Sequence, residues 1–282
     1  MNGPPRGRRF PAQWARPGST PAARPTPAGG SAPAGSPRAL LRPQRHLHEA
    51  ALDAARRVAP SGLGLDSGPV RERMVTRLRE EGVAGAAVLR AFAAVPRHRF
   101  VDTALAAQAY EDTSLPIGLG QTISKPSVVA RMLQWLAEGA LARQRGHLGR
   151  VLEIGSGCGY QAALLAQLAT RVISVERLAD LHALARRNLD AVQVRDVRLV
   201  LADGRLGHPP NAPYDSIVAA AGGEDIPPAW LAQLAPGGRL VAPTSLPGVK
   251  GHALVVIDRS PEGFTRQIGE IVAFVPLKSG VA

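Results

Sequence analysis

Residues 151–168, VLEIGSGCGYQAALLAQL, decide the fold of this chain. The pattern predicts a buried strand, then a glycine-rich turn, then a helix. Gly155, Gly157 and Gly159 stand at alternate positions between the two elements. Either they only allow a tight turn, or a ligand lies against the backbone at a place where side chains would be in the way.

Downstream of the turn, short apolar segments alternate with helical ones. The predicted helices read YQAALLAQLA, LADLHALARRNLDAV and PPAWLAQL, and the predicted strands read RVLEIG, RVISVE, VRLVLAD, YDSIVAAA, GGRLVAPT, HALVVIDR and IGEIVAFVPL. Such alternation indicates parallel strand pairing. The predicted fold class is therefore α/β, a doubly wound, mostly parallel, Rossmann-like sheet with helices on both faces.

Three more helices are predicted upstream, at 69–82, 86–95 and 127–140, where apolar residues recur at helical spacing. They form an N-terminal helical subregion at 69–145, ahead of the sheet at 150–282, in a single domain. Residues 1–60 are rich in Pro, Ala and Arg. Such a segment buries too little apolar surface to offset its ordering entropy, so we expect a disordered tail with a short helix at 46–60.

Charge and composition narrow the classes of function. The formal net charge is +12, of which +8 falls in the first 60 residues, so the body of the chain is only mildly basic. We therefore expect no specific nucleic-acid partner. The single cysteine excludes an internal disulfide and a cysteine-cluster metal site, and we predict no metal. No apolar run is long enough to span a membrane, and the N-terminus is a poor secretion signal. We expect a cytoplasmic monomer.

Two acidic residues favour a ligand at the glycine turn. The spacing is G-x-G-x-G, which differs from the G-x-G-x-x-G of dinucleotide binders and argues against a pyrophosphate. Glu176 ends the second predicted strand, 21 residues after Gly155, where a carboxylate can accept hydrogen bonds from ribose hydroxyls. Asp203 ends the third, where it can hold an exocyclic amine or orient the loop beneath an adenine. Together they indicate an adenosine-type ligand without a pyrophosphate, which suggests S-adenosylmethionine.

At this point the motifs become specific. VLEIGSGCGYQAALLAQL, VISVER and LADGRLG resemble the successive motifs of class I S-adenosylmethionine-dependent methyltransferases. VPRHRFV, AYEDTSLPIGLGQTIS and PGGRLVAP closely resemble the protein-L-isoaspartate (D-aspartate) O-methyltransferase family, over about residues 70–277.

That resemblance implies methylation of the α-carboxylate of isoaspartyl residues in damaged proteins, whose esters then collapse to a succinimide. It places the active-site serine at Ser124 and substrate contacts at Gln121, Thr122 and Ile123. Gly118 and Gly120 would let this loop close over the cofactor. The implied cofactor contacts are Glu153, Gly155, Ser156, Gly157, Cys158, Glu176, Arg177, Asp203 and Gly204.

Other interpretations stay open at this stage. Ser124 could instead cap the helix that follows, for which Ser127 is the better candidate. The chain departs from the family's common pattern at Ser127, at Cys158 and in the run AAAGG after the fourth strand. The alternatives for the whole protein are a class I methyltransferase acting on a small molecule or RNA, and a cofactor-binding protein without turnover. His98 is predicted to be a surface or packing residue rather than a base.

Overall fold

The computed structural model describes residues 68–248 and 251–282. The tail predicted at 1–60, with its short helix, lies outside the described residues. Within them the α-helices are α1 (Gly68–Glu80), α2 (Ala86–Ala94), α3 (Pro126–Ala137), α4 (Ala140–Arg145), α5 (Tyr160–Ala166), α6 (Ala179–Ala191) and α7 (Pro228–Gln233). None of these helices has both the length and the apolar character needed to cross a bilayer.

Seven strands form the central sheet, in the order β5-β4-β3-β6-β7-β8-β9. They are β3 (Arg150–Ile154), β4 (Arg171–Glu176), β5 (Val197–Leu201), β6 (Tyr214–Ala219), β7 (Leu234–Ser245), β8 (His252–Ser260) and β9 (Gly263–Val272). Strands β3 to β7 pair in parallel, whereas β8 and β9 are antiparallel. The chain starts at the central β3, runs outward to β5, and returns to place β6 on the other side of β3. This confirms the predicted doubly wound, mostly parallel sheet.

Alternate residues of the central strands enter two separate cores. Val151 belongs to the core that also contains α3 and α5, whereas Leu152 and Ile154 belong to the core that contains α7. Val151 and Leu152 are both completely buried. Because both faces of the sheet are apolar, helices must cover both, and each fully buried aliphatic side chain contributes about 1.5–3 kcal/mol.

The start of α3 differs from the prediction. Neither Ser124 nor Ser127 caps it, since Ser127 is the second residue of a helix that begins at Pro126. The backbone N–H and the hydroxyl of Ser127 both donate to the Asp112 carboxylate, at 2.8 Å each. Burial alone would raise the pKa of Asp112, but these bonds and the charge of Lys125 lower it below its ordinary value. The carboxylate of Asp112, which is distant in sequence, therefore caps the start of α3.

The segment expected to be a flexible loop forms a small hairpin. Strands β1 (Leu115–Gly118) and β2 (Gln121–Ile123) pair antiparallel, apart from the main sheet. Its turn has three consecutive left-handed residues, Gly118, Leu119 and Gly120, at φ of 93°, 53° and 68°. The glycines are needed for this backbone conformation.

The predicted last strand was wrong in its limits. IGEIVAFVPL was expected to run to residue 277, but β9 spans Gly263–Val272. All but its first and last residues are exposed, as befits the edge of the sheet. Without one buried face the sequence has no clean apolar alternation to mark such a strand.

Candidate active site

A cavity lies beyond the carboxyl ends of the parallel strands, beside the point between β3 and β6 where the chain direction across the sheet reverses. This is where open α/β sheets bind ligands. Eleven of the thirteen predicted site residues line it: Gln121, Thr122, Ile123, Ser124, Gly155, Ser156, Gly157, Cys158, Glu176, Arg177 and Gly204. Glu153 and Asp203 lie outside the lining.

The three glycines of the turn divide the two roles that the sequence left open. All three are left-handed, at φ of 91°, 53° and 90° for Gly155, Gly157 and Gly159. Gly155 and Gly157 line the cavity, where their bare backbone allows close approach. At Gly159, the residue before α5, a Cβ would stand 3.3 Å from the backbone of Ala185 in α6. Two glycines therefore serve the cavity and the third serves helix packing.

Glu176 ties the turn to the end of β4. Its side chain is buried, yet it lines the cavity. Oε2 accepts from the Gly157 N–H at 2.9 Å, while Oε1 accepts from the N–H groups of Arg177 and Leu178 at 2.9 and 3.0 Å. A carboxylate has about four acceptor positions, so these bonds fix its orientation and leave capacity on Oε2.

Glu153 lies one layer behind the cavity. It is completely buried on β3, and the Ser174 hydroxyl donates to its Oε2 at 2.5 Å. Ser174 Oγ is in turn 2.5 Å from the Oγ of Ser156, which does line the cavity. Burial raises the pKa of Glu153 to about 8, although Ser174 and Gln161 partly oppose this. The carboxyl is therefore mostly neutral at pH 7. Hydrogen bonds through Ser174 and Ser156 connect it to the cavity.

The high pKa of Glu153 makes stability depend on pH. In the unfolded chain the pKa is near its ordinary 4.5, so between that value and about 8 the fold holds more protons than the unfolded chain. The contribution of the neutral carboxyl to the free energy of unfolding is then fully present below about pH 4.5 and is lost as the pH rises through about 8. Glu153→Gln keeps the shape without the charge. Its melting temperature, followed by circular dichroism, should fall several degrees less than the parent's between about pH 5 and about pH 8.5.

Glu80→Gln, on the exposed surface of α1, is the matched control for this comparison and should follow the parent protein. A gap between the Glu153→Gln variant and the parent that stays constant across this range would contradict a pKa near 8.

Asp203 and Gly204 shape the rim from the end of β5. Asp203 Oδ1 accepts from the Arg205 N–H at 2.9 Å, and Oδ2 accepts from the Gly280 N–H at 2.7 Å. At Gly204 a Cβ would stand 2.6 Å from Cγ2 of Ile154, so no side chain fits. The Gly204 carbonyl accepts from the indole N–H of Trp230 at 2.8 Å. The acidic side chain thus orients loops, and the glycine backbone forms the wall.

Ser124 stands where two concavities meet. It lines the cavity described above and also an outer groove of about 680 Å³ between α3 and the end of β9. Within the described part of the chain, the Ser124 hydroxyl has no hydrogen bond to another residue. It is therefore free to bond a group that enters from the groove.

Arg97 holds this serine in place, and sequence reasoning missed it. Its guanidinium is completely buried, with Nε donating to the Ala109 carbonyl at 2.7 Å and Nη2 to the Ser124 carbonyl at 2.9 Å. Its Cζ lies 4.9 Å from the ring centroid of Tyr160. Burial lowers the pKa of Arg97, an effect that Tyr160 partly opposes. The sequence has two arginines between Pro96 and Phe100, the buried Arg97 and the exposed Arg99, and no local pattern distinguishes them.

Cys158 lines the cavity, whereas His98 lies outside its lining. Burial raises the pKa of the Cys158 thiol to about 11, so it is a poor nucleophile at neutral pH. His98 bonds the Tyr110 hydroxyl at 2.8 Å. Among residues 68–248 and 251–282 no group of three His, Cys, Asp or Glu side chains is arranged to hold a metal.

The seven-stranded sheet is doubly wound, a glycine turn follows β3, and the buried Glu176 ends β4. These are the features of a class I S-adenosylmethionine-dependent methyltransferase. The residues fit an adenosyl group, since Gly155, Gly157 and Gly204 present bare backbone and Glu176 presents an oriented carboxylate.

Comparison with known proteins gives the family. The sequence model of protein-L-isoaspartate(D-aspartate) O-methyltransferase matches residues 70–282. A protein-L-isoaspartate O-methyltransferase of Methylibium petroleiphilum is 63% identical over 86% of this chain and 89% of its own length. One of Leptothrix cholodnii is 56% identical, over 86% and 84%. The chain belongs to this family, and it is an enzyme that uses S-adenosylmethionine to methylate isoaspartyl residues of proteins.

Solved structures agree with the fold. A protein-L-isoaspartate O-methyltransferase superposes with a TM-score of 0.65 at 27% identity, over 75% of this chain and 67% of that one. A Plasmodium falciparum protein in complex with S-adenosyl-L-homocysteine gives a TM-score of 0.63 at 21% identity, over 74% and 98%.

Proposed function

We propose that Ser124 holds the α-carboxylate of the isoaspartyl residue where the outer groove opens into the cofactor cavity. The observation that carries this proposal is that Ser124 lines both spaces and has an uncommitted hydroxyl. Gln121, Thr122 and Ile123, on β2, form the wall beside the substrate carboxylate.

The cofactor contacts follow from the same cavity. Glu176 binds the ribose hydroxyls with the remaining capacity of Oε2. Gly155, Ser156, Gly157, Cys158, Arg177 and Gly204 line the space for the rest of the cofactor. Glu153 supports Ser156 from behind, and Asp203 orients the loops at the rim.

This arrangement needs no general base. An α-carboxyl group has a pKa of about 3.3–3.7, so the substrate is already ionised at neutral pH. When bound, S-adenosylmethionine would supply a methyl group on positively charged sulfur, which is an electrophile for a carboxylate oxygen and has a neutral thioether as its leaving group. The Ser124 hydroxyl donates to the carboxylate and fixes its direction of approach.

The outer groove takes the chain on either side of the isoaspartyl residue. Its lining carries charges of both signs, from Lys125, Arg131, Glu81 and Glu270. Such a surface accepts varied protein segments and is not suited to the uniform negative charge of a nucleic acid. We propose that the enzyme is a monomer, since residues of one chain line the cavity. We also propose that it works in the cytoplasm and that residues 69–282 form a single domain. Sedimentation and cell fractionation test these points.

Removing the serine hydroxyl tests the central assignment. Ser124→Ala should lower kcat/KM for an isoaspartyl peptide by about 10- to 100-fold, the effect of losing a hydrogen bond to a charged group. The affinity for S-adenosylhomocysteine should stay within about twofold. The measurement is transfer of labelled methyl to an isoaspartyl peptide and to the matched aspartyl peptide, with base-labile esters counted.

Ser260→Ala is the matched control, because Ser260 ends β8 at the opposite edge of the sheet from the cavity. It should behave as the parent enzyme does. If Ser124→Ala retains full activity, the serine does not hold the carboxylate. If neither peptide is methylated by the parent while cofactor binds, the acceptor assignment fails.

A further inference from the structure

A strap, residues 275–282, crosses the mouth of the cofactor cavity. Val275, Pro276, Leu277 and Lys278 line the cavity. The amino-terminal end of the strap is hydrogen-bonded to the loop after β6. There the Gly222 N–H donates to the Val275 carbonyl at 2.8 Å, and the Gly222 carbonyl accepts from the Leu277 N–H at 2.7 Å. Leu277 also packs against the core that contains α7.

The far end of the strap is fastened beyond β4 and β5. Arg177 Nε donates to the Gly280 carbonyl at 3.1 Å, and the Ala282 N–H donates to the Arg177 carbonyl at 2.8 Å. The Gly280 N–H donates to Asp203 Oδ2 at 2.7 Å. Because β3 lies between β6 and β4 in the sheet, the strap passes over the glycine turn that follows β3.

Asp203 is the acidic group among these contacts, and Arg177 is the basic one. The two carboxylate oxygens of Asp203 are engaged by the Arg205 and Gly280 N–H groups, and Asp203 does not line the cavity. A bond from an N–H to a carboxylate is stronger than one between neutral groups. Asp203 therefore has its strongest connection to the cofactor site through the strap rather than by direct contact.

We infer that Asp203 is a cofactor-positioning residue that acts by holding the strap closed over bound cofactor. The inference rests on the cavity being the cofactor site. It implies that the carboxylate at the end of β5 raises cofactor affinity without touching the adenine, by lowering the free energy of the closed strap relative to the open one.

A double-mutant cycle on cofactor affinity tests this. The variants are Asp203→Asn, a chain that stops after Lys278, and both changes together, titrated with S-adenosylhomocysteine in a calorimeter. The Asn oxygen can keep the Arg205 bond, but its amide then faces the Gly280 N–H. We expect each single change to weaken binding by about tenfold, and Asp203→Asn to add less than about twofold in the shortened chain. An equal loss in both backgrounds would show direct contact and overturn the inference, as would a shortened chain with unchanged affinity.

A second pair of variants guards against a misfolded Asp203→Asn. Gly280 is left-handed at φ of 77° with no atom within 4 Å of an added Cβ, so Gly280→Ala strains only the strap backbone. Gly82, just beyond α1, has the same properties at φ of 94°. Gly280→Ala should weaken cofactor binding several-fold, and Gly82→Ala should not; equal behaviour of the two would contradict the strap's role.

Hydrogen exchange in the cofactor-free protein gives a readout that needs neither cofactor nor methyl acceptor. The amides of Gly280, Ala282 and Ala179, all bonded at the far end of the strap, should exchange several-fold faster in Asp203→Asn. Unchanged exchange would mean that Asp203 does not hold the strap. Since the acceptor peptide is absent from these measurements, a wrong substrate assignment would not affect them.

Discussion

Replacing Glu176 with Gln is expected to weaken the binding of S-adenosylhomocysteine about 100-fold, equivalent to about 2.7 kcal/mol. If the amide oxygen keeps the bonds from Arg177 and Leu178, the amide nitrogen must face the Gly157 N–H, so that two donors oppose each other. The glycine turn then loses its tie to β4, and the acceptor proposed for ribose becomes a donor. Isothermal titration measures the affinity.

Glu262→Gln provides the matched control, since Glu262 lies between β8 and β9 at the edge of the sheet opposite the cavity. It should bind as the parent does. Urea unfolding of both variants separates loss of the site from loss of the fold. An affinity within about twofold of the parent's, in a folded Glu176→Gln protein, would contradict the role of Glu176.

The sequence predicted the sheet well because its signals are local. Each central strand is a short apolar run followed by a turn and a helix, and the glycine turn marks the first crossover. The ends of β3 and β4 fix where Gly157 and Glu176 lie, so their meeting at one edge follows from parallel pairing. The edge strand β9 has no buried face to produce a pattern, and its limits were predicted wrongly.

What sequence could not supply was the direction in which buried polar groups point. Glu153 and Asp203 were expected among the cofactor contacts, with orientation of the loop as the alternative for Asp203, and in the structure both bond other parts of the protein. Asp112 bonds the start of α3 from 15 residues earlier in the chain, where the sequence offered only a nearby serine as a candidate cap. Such partners depend on tertiary distance, which hydrophobic periodicity does not encode.

Arg97 is the clearest case of this kind, and its replacement should separate chemistry from cofactor binding. Arg97→Met keeps the length of the side chain but leaves the carbonyls of Ala109 and Ser124 without their donor. A buried acceptor without a partner costs about 1–3 kcal/mol, so the free energy of unfolding should fall by about 2–4 kcal/mol. Release of the Ser124 backbone misplaces its hydroxyl, and a shift of about 1 Å can cost about 100-fold in rate. We expect kcat/KM for an isoaspartyl peptide to fall by about that factor.

Cofactor affinity distinguishes this positioning role from general damage to the fold. Arg97 does not line the cofactor cavity, so the affinity of folded Arg97→Met for S-adenosylhomocysteine should stay within about threefold of the parent's. Arg97→Lys keeps the charge but can reach the two carbonyls with only one nitrogen. Its activity should lie between that of the parent enzyme and that of Arg97→Met. Arg90→Met, on the exposed side of α2, is the matched control and should have no effect. If Arg97→Met lowers peptide turnover and cofactor affinity by equal factors, the arginine supports the whole fold rather than the position of Ser124.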